Sequence, residues 1–194
     1  MTKTTMPGVS ESMRDLDSRS KDRQDQAFQS LSEMTRESVD WAYEIWDDLL
    51  RLIATGDNRQ RAIAGQILCS LAKSDPKGRI IHDVPVLLAL TKDERFVTAR
   101  HCLLSLWKVA IISDHHRKAI SEGLVQRFKE CEAEKNSTLL RYDMQCVFRK
   151  IYDMTGDKRL RQTAEQLIAL EKDPKYRKKY ATVWRSTAPA KASS

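Results

Sequence analysis

Glycine and proline are scarce in this chain, at 6 and 5 of 194 residues. That is too few for a collagen-like repeat or for the dense turns of a β-rich fold. No apolar run approaches the roughly 18–20 residues that a membrane span needs. The opening stretch, MTKTTMPGVSESMRDLDSRSKD, has no apolar centre of the kind that marks a secretory signal. A cytoplasmic protein without membrane contact is the expectation.

Cysteine is also sparse and shows no paired spacing. Cys69, Cys102, Cys131 and Cys146 form no CxxC and have no His at zinc-ligand distance in the sequence. They read as buried thiols rather than as metal, redox or disulfide positions. Asp114-His115-His116 has the letters of a metal or acid–base site. On a helix, however, neighbouring imidazoles point about 100° apart, so the fragment reads as exposed imidazoles at a helix N-terminus. The nucleophile elbow, the phosphate loop and HExxH are all missing. No catalytic residue, cofactor or metal is assigned, and a non-enzymatic role is expected.

What the chain has in quantity is charge. Charged residues make up 31% of it and the formal net charge is +7. The excess is local: residues 157–194 hold ten basic and four acidic groups, a balance of +6, whereas residues 1–40 hold six and eight. Localised charge is a better pointer to an anionic partner than the whole-chain value.

The organising feature is a phrase written twice. TGDNRQRAIAGQIL at 55–68 returns as TGDKRLRQTAEQLI at 155–168. Apolar residues at helical spacing surround it. A helix is expected over about 39–54, stopped by Thr55-Gly56, and another opens at Asp57, with Gln60 completing a capping box. Later helices are expected near 84–90, 95–112, 114–131, 140–154, 157–171 and 173–185. Ser30-x-x-Glu33 has the form of another capping box or of an exposed helical turn. Residues 1–24 and 186–194 are expected to be disordered tails, leaving 25–185 as the folded domain. Shifting the sequence by 35 residues places Ala64, Leu68, Ser70 and Leu71 on Ala99, Leu103, Ser105 and Leu106. A two-helix unit of this kind has a buried face too wide to close on itself, so it stacks on its neighbours.

In these residues the chain resembles the HEAT family of helical repeats, which has an Asp in the turn and an Arg four residues later. Asp57/Arg61 and Asp157/Arg161 fit. The unit at Asp93 departs, with Val97 in the Arg place, and the unit containing Arg141 has Ser137 for the Asp. The resemblance covers about residues 40–172. It implies an all-α, right-handed α-solenoid of about four HEAT-like helical hairpins with terminal capping helices. It also implies that Arg61 and Arg161 pair with turn aspartates and brace the stack.

With Ala64, Ile67, Leu68 and Leu71 turned inward, Arg59, Ala62, Gln66, Cys69 and Lys73 face the other way. Second helices line the concave surface in HEAT-like stacks, so the resemblance implies a shallow basic groove through Arg59, Lys73, His101, Lys108, Arg149 and Arg159. The plainer reading is a solvated face. Lys175, Lys178 and Lys179 lie in DPKYRKKYATVWR, where Tyr176, Tyr180, Val183 and Trp184 make one apolar stripe. That segment reads as a cap on the last repeat that keeps its lysines in water, or as a basic-aromatic surface for nucleic acid. Trp41, Trp46 and Trp107 read as core. The expected function is an adaptor or scaffold that holds a protein partner with an acidic surface. The alternative is a nucleic-acid-binding protein linked to DNA repair.

Overall fold

Short polar side chains cap the start of five helices among the described residues. Ser20 caps the helix that starts at Lys21 by accepting the Arg23 N–H, and Ser113 caps the one that starts at Asp114 by accepting that of His116. Asp57 Oδ1 accepts the N–H groups of Arg59 and Gln60, while Gln60 Oε1 accepts the Asp57 N–H, so the capping box forms as read. In the computed structural model, which describes residues 7–185, the elements are α1 (Pro7–Leu16), α2 (Lys21–Met34), α3 (Ala42–Thr55), α4 (Asn58–Leu71), α5 (Ile80–Leu90), α6 (Phe96–Leu103), α7 (Trp107–Ala110), α8 (Asp114–Glu130), α9 (Ser137–Thr155), α10 (Lys158–Ala169) and α11 (Pro174–Thr182). Short 3-10 turns follow α4 at Ala72–Ser74 and α8 at Cys131–Ala133. The fold is all-α, with no strand among the described residues. No helix among them is long and apolar enough to cross a membrane.

α1 packs on α2, α3 on α4, α7 on α8 and α9 on α10. Between these pairs α2 meets α4, α4 meets α6 and α7, and both of those meet α9. The side chains between them make one continuous core, with Trp46, Leu49, Ile67, Leu68, Leu71, Phe128 and Phe148 fully or almost fully buried. Trp46 also satisfies its indole N–H on Asp83, at 2.8 Å.

The N-terminal stretch differs from expectation. Residues 7–24 are helical except for the α1–α2 turn, and α1 buries Val9 and Leu16 completely. These two stand seven residues apart with Met13 between them, so a stretch poor in apolar groups still places them on one helical face. Arg51 of α3 holds Asp17 at 3.0 Å, and Arg23 pairs with Asp15. α2 accordingly begins at Lys21, and Ser30 lies inside it, accepting a bond from Ser12 Oγ at 3.0 Å. Residues 1–6 and 186–194 fall outside the described residues.

The helix expected over 95–112 is interrupted between Leu103 and Trp107. There Ser105 and Leu106 donate to carbonyls three residues back, and Ser105 Oγ bonds the His101 carbonyl at 2.9 Å. Such back-bonding loosens a helix. At the other end Tyr180 is fully buried and Trp184 is 8% exposed. The Tyr180 hydroxyl donates to Thr138 O at 3.0 Å, and Trp184 Nε1 donates to Gln145 Oε1 at 2.9 Å. α11 therefore packs on α9 by its aromatic stripe.

A series of guanidinium–carboxylate pairs links successive parts of the chain. Arg61 holds Asp93, Arg100 holds Asp143 and Arg141 holds Glu171, at 2.6, 2.5 and 2.9 Å. Burial works against ionisation of Asp93 and Glu171, but the bonds they accept outweigh it and both carboxyls sit below their usual range. Arg161 does not join the series. It pairs with Glu165 on its own helix and stays half exposed, while Asp157 is held by Arg117 of α8 at 3.2 Å. The second copy of the phrase therefore braces the fold through its aspartate alone.

Candidate functional site

One side of α4 faces solvent between α2 and α6–α7, and two cavities follow each other along it. The first, about 290 Å³, is lined by Phe28, Arg59, Gln66, Val97 and His101 among others. The second, about 370 Å³, is lined by Ser32, Thr35, Arg36, Ser70, Lys73, Trp107, Lys108, Ile111, Ile112 and Met154. Gln66, which lines the first, and Ser70, which lines the second, stand one helical turn apart, so the two hollows lie next to each other along this grooved side of α4. The larger volume is at the small end of the range for ligand cavities, about 300–1,000 Å³, enough for a large side chain and its flanking backbone.

The cations of the groove are held differently. Arg59 is ion-paired with Asp25 of α2, which removes most of its pull on a partner. Lys73 donates to the Arg36 carbonyl, a neutral acceptor. Lys108 donates to Ser70 Oγ at 2.7 Å. Burial lowers the Lys108 pKa from its usual value, and the neighbouring Lys73 charge adds to that shift. Neither lysine makes an ion pair among the described residues. His101, exposed beside the first cavity, is likewise held below its usual pKa, by partial burial and then by Arg100.

The apolar part of the second cavity comes from helix ends. Trp107 and Ile111 are half-buried, Ile112 is 38% exposed and Met154 is 52% exposed. Lys150 Nζ lies 5.1 Å from the centre of the Trp107 ring. Trp107, expected in the core, thus lines the groove. Its helix is a single turn that ends too soon to cover it. Cys69, placed on the outward stripe by the helical wheel but read as a buried thiol from its cysteine chemistry, is completely buried close to Lys108.

The remaining candidate residues lie elsewhere. Arg149 on α9 is held by Asp153 at 2.7 Å and by Val183 O at 3.1 Å, with its guanidinium 5.9 Å from the Trp184 ring centre, so it supports α11. Arg159 is bidentate on Asp157, at 2.9 and 2.8 Å, beside Asp114 and Arg117 of α8. Lys175, Lys178 and Lys179 are exposed on α11, with Lys175 over Tyr176 and Lys179 over Tyr142. The stripe read from the sequence therefore divides among the α4 groove, the α9–α11 junction, the start of α10 and the surface of α11.

Arg36, Ser70, Ile111, Ile112 and Met154 escaped the sequence reading. Ile112 and Met154 sit at the ends of apolar stripes, where the pattern assigns them to the core although no following turn covers them. His115 and His116 lie with ring centres 6.1 Å apart and planes at 73°, and His116 Nδ1 meets Ser113 Oγ at 2.7 Å. Among the described residues no group of three His, Cys, Asp or Glu side chains is placed to hold a metal ion. Comparison with protein-family models, with curated proteins and with solved structures finds no match for the chain.

Proposed function

We propose that the chain is a non-enzymatic adaptor, a HEAT-like α-solenoid whose α2–α4–α7–α9 face binds an acidic segment of another protein. The observation that carries this reading is the second cavity, where Arg36, Lys73 and Lys108 stand among apolar side chains and no carboxylate lines the wall. Elsewhere the chain pairs its cations closely, as in Arg59–Asp25, Arg79–Asp47 and Arg117–Asp114. Two lysines left on neutral acceptors beside an apolar floor match an anionic partner that also brings apolar surface. In the test, the full chain and a Lys73→Glu/Lys108→Glu variant capture proteins from nuclease-treated extract. The wild type is expected to retain a protein that the variant loses. Loss of every partner on nuclease treatment sinks the reading.

A second reading, nucleic-acid binding, draws on α11. Lys175, Arg177, Lys178 and Lys179 are all exposed there, and none makes an ion pair among the described residues. Phosphate contacts release counterions, so such binding should weaken steeply with salt. Substituting these four residues together would abolish it, whereas changes at Lys73 and Lys108 would not.

A further inference from the structure

The cavity at the α7 end of the groove has an unusual balance of charge and solvation. A lysine ammonium that leaves water needs an anionic or strongly accepting partner to offset the loss. Lys108 is half-buried against Cys69, which is fully buried, and the only hydrogen-bond partner of its ammonium among the described residues is the Ser70 hydroxyl. Lys73, close by, repels it. Arg36, the third cation, already pairs with Glu33 at 2.9 Å, so the charge that lacks an acid belongs to the two lysines.

The apolar wall complements this. Of the large apolar side chains most exposed among the described residues, Ile112 and Met154 both line this cavity, and Val97 lines its neighbour. Trp107 supplies a flat ring, with Lys150 Nζ 5.1 Å from its centre. Methionine adapts its shape to an incoming group at little cost. A purely ionic ligand would leave this wall wet, and an uncharged apolar one would leave Lys108 without an acid.

The length of the groove selects a polymer over a small amphiphilic acid. On α4 the first cavity is lined between Asn58 and Gln66 and the second at Ser70, so Ala62 and Ser70 stand eight positions apart, roughly 12 Å at 1.5 Å per residue. An extended peptide advances about 3.3 Å per residue and turns every second side chain to the same face, so side chains four residues apart, about 13 Å, would reach both hollows.

We propose that the Trp107–Met154 cavity is a docking pocket for an extended acidic peptide of another protein, which inserts a large apolar side chain and sets an adjoining carboxylate on Lys108. A second apolar side chain, four residues away on the same face of the peptide, lies against Val97 and Phe28. This assignment rests on the adaptor reading and adds to it the chemistry of the segment that is bound.

The probe is an amidated, acetylated peptide, Gly-Leu-Ser-Asp-Ser-Leu-Ser-Glu-Gly, titrated into the isotopically labelled full chain and followed by amide and indole resonances. Three shifts are expected together, at the Trp107 indole, at Ser70 and at Lys108. Replacing the acids of the peptide by their amides, or its leucines by serine, should weaken binding at least tenfold. Lys108→Met in the chain should do the same, as should the milder Trp107→Phe if Lys108→Met perturbs folding. Saturable binding that ignores Lys108→Met and Trp107→Phe overturns the pocket, and so does no binding at millimolar peptide. An oligonucleotide that shifts the same resonances more tightly than the peptide also overturns it. The two readings separate in capture: if Lys108→Met and Trp107→Phe leave a nuclease-resistant protein bound, the adaptor stands and this pocket falls.

Discussion

Arg61 grips Asp93 with two nitrogens, Nε to Oδ2 at 2.6 Å and Nη2 to Oδ1 at 3.0 Å, and its remaining nitrogen donates to Gly56 O at 2.9 Å. One side chain thereby ties α4 to the turn before α6 and to the turn that precedes α4 itself. The Asp93 side chain is only 6% exposed, so losing its partner leaves a carboxylate poorly hydrated.

Arg61→Ala should therefore cost about 2–3 kcal/mol in chemical denaturation, between an ordinary charged hydrogen bond and a fully buried pair. Arg61→Lys should recover less than half of that, since an ammonium cannot reproduce the fork. A lysine variant as stable as the wild type would show that charge alone, not two-pronged geometry, holds the joint.

The two Thr-Gly-Asp turns should respond differently to the same substitution. Gly156 takes the left-handed conformation, with φ of 67°, and has open space around a Cβ. Gly156→Asn should change stability by less than about 0.5 kcal/mol and Gly156→Ala should cost about 1 kcal/mol. Gly56 has φ of −72°, which any residue adopts, but a Cβ there would lie 2.6 Å from the Leu52 carbonyl oxygen and 2.8 Å from Gln60 Cβ. Gly56→Asn and Gly56→Ala should both cost about 1–3 kcal/mol. Equal thermal shifts at the two sites would contradict this contrast.

Asp157 predicts a particular acid response. Its bonds from the Arg159 side chain, with Arg117 helping against the cost of burial, lower its pKa from 3.8 to about 2. A carboxyl depressed in the folded state stabilises the protein above the unfolded pKa, and the contribution fades as pH falls through the folded one. Wild type should exceed Asp157→Asn in stability at pH 6, and the gap should close between about pH 4 and pH 2. Denaturation midpoints measured across that window decide it, and a gap that stays constant refutes the coupling.

The thiols should separate by burial. Desolvation pushes Cys69 up to about 12 and raises Cys102 well above its usual value, and both are fully buried. Cys146 is the one of the four that is not fully buried. Since the thiolate is the reactive form, a thiol reagent at pH 8 should modify Cys146 first in the native protein. All four cysteines should react in denaturant. Rapid native labelling of Cys69 would show that the α4–α7 contact opens readily.

Helix starts, turn positions and the inward stripes were legible because each depends on residues within a few positions of one another. Asp57 and Gln60 form their box, Asp173-Pro174 opens α11, and Ile67, Leu68 and Leu71 are buried, all as spacing required. α1 was hidden because its stretch as a whole is poor in apolar groups, while its burial rests on Val9 and Leu16 at the right interval.

The charged site was far less legible. Whether an arginine is a brace or an offered cation depends on what stands opposite, and those partners are distant in the chain. Asp25 reaches Arg59 from 34 residues away, and Asp93 reaches Arg61 from 32. Two copies of one phrase met different surroundings, so Arg61 became a joint while Arg161 stayed on its own helix. Local spacing determined which residues form helices and which side of each is apolar, because capping and periodicity act over one or two turns. Only the tertiary structure decided which charges are neutralised and which apolar side chains stay uncovered, because ion pairing and burial act between segments that packing alone brings together.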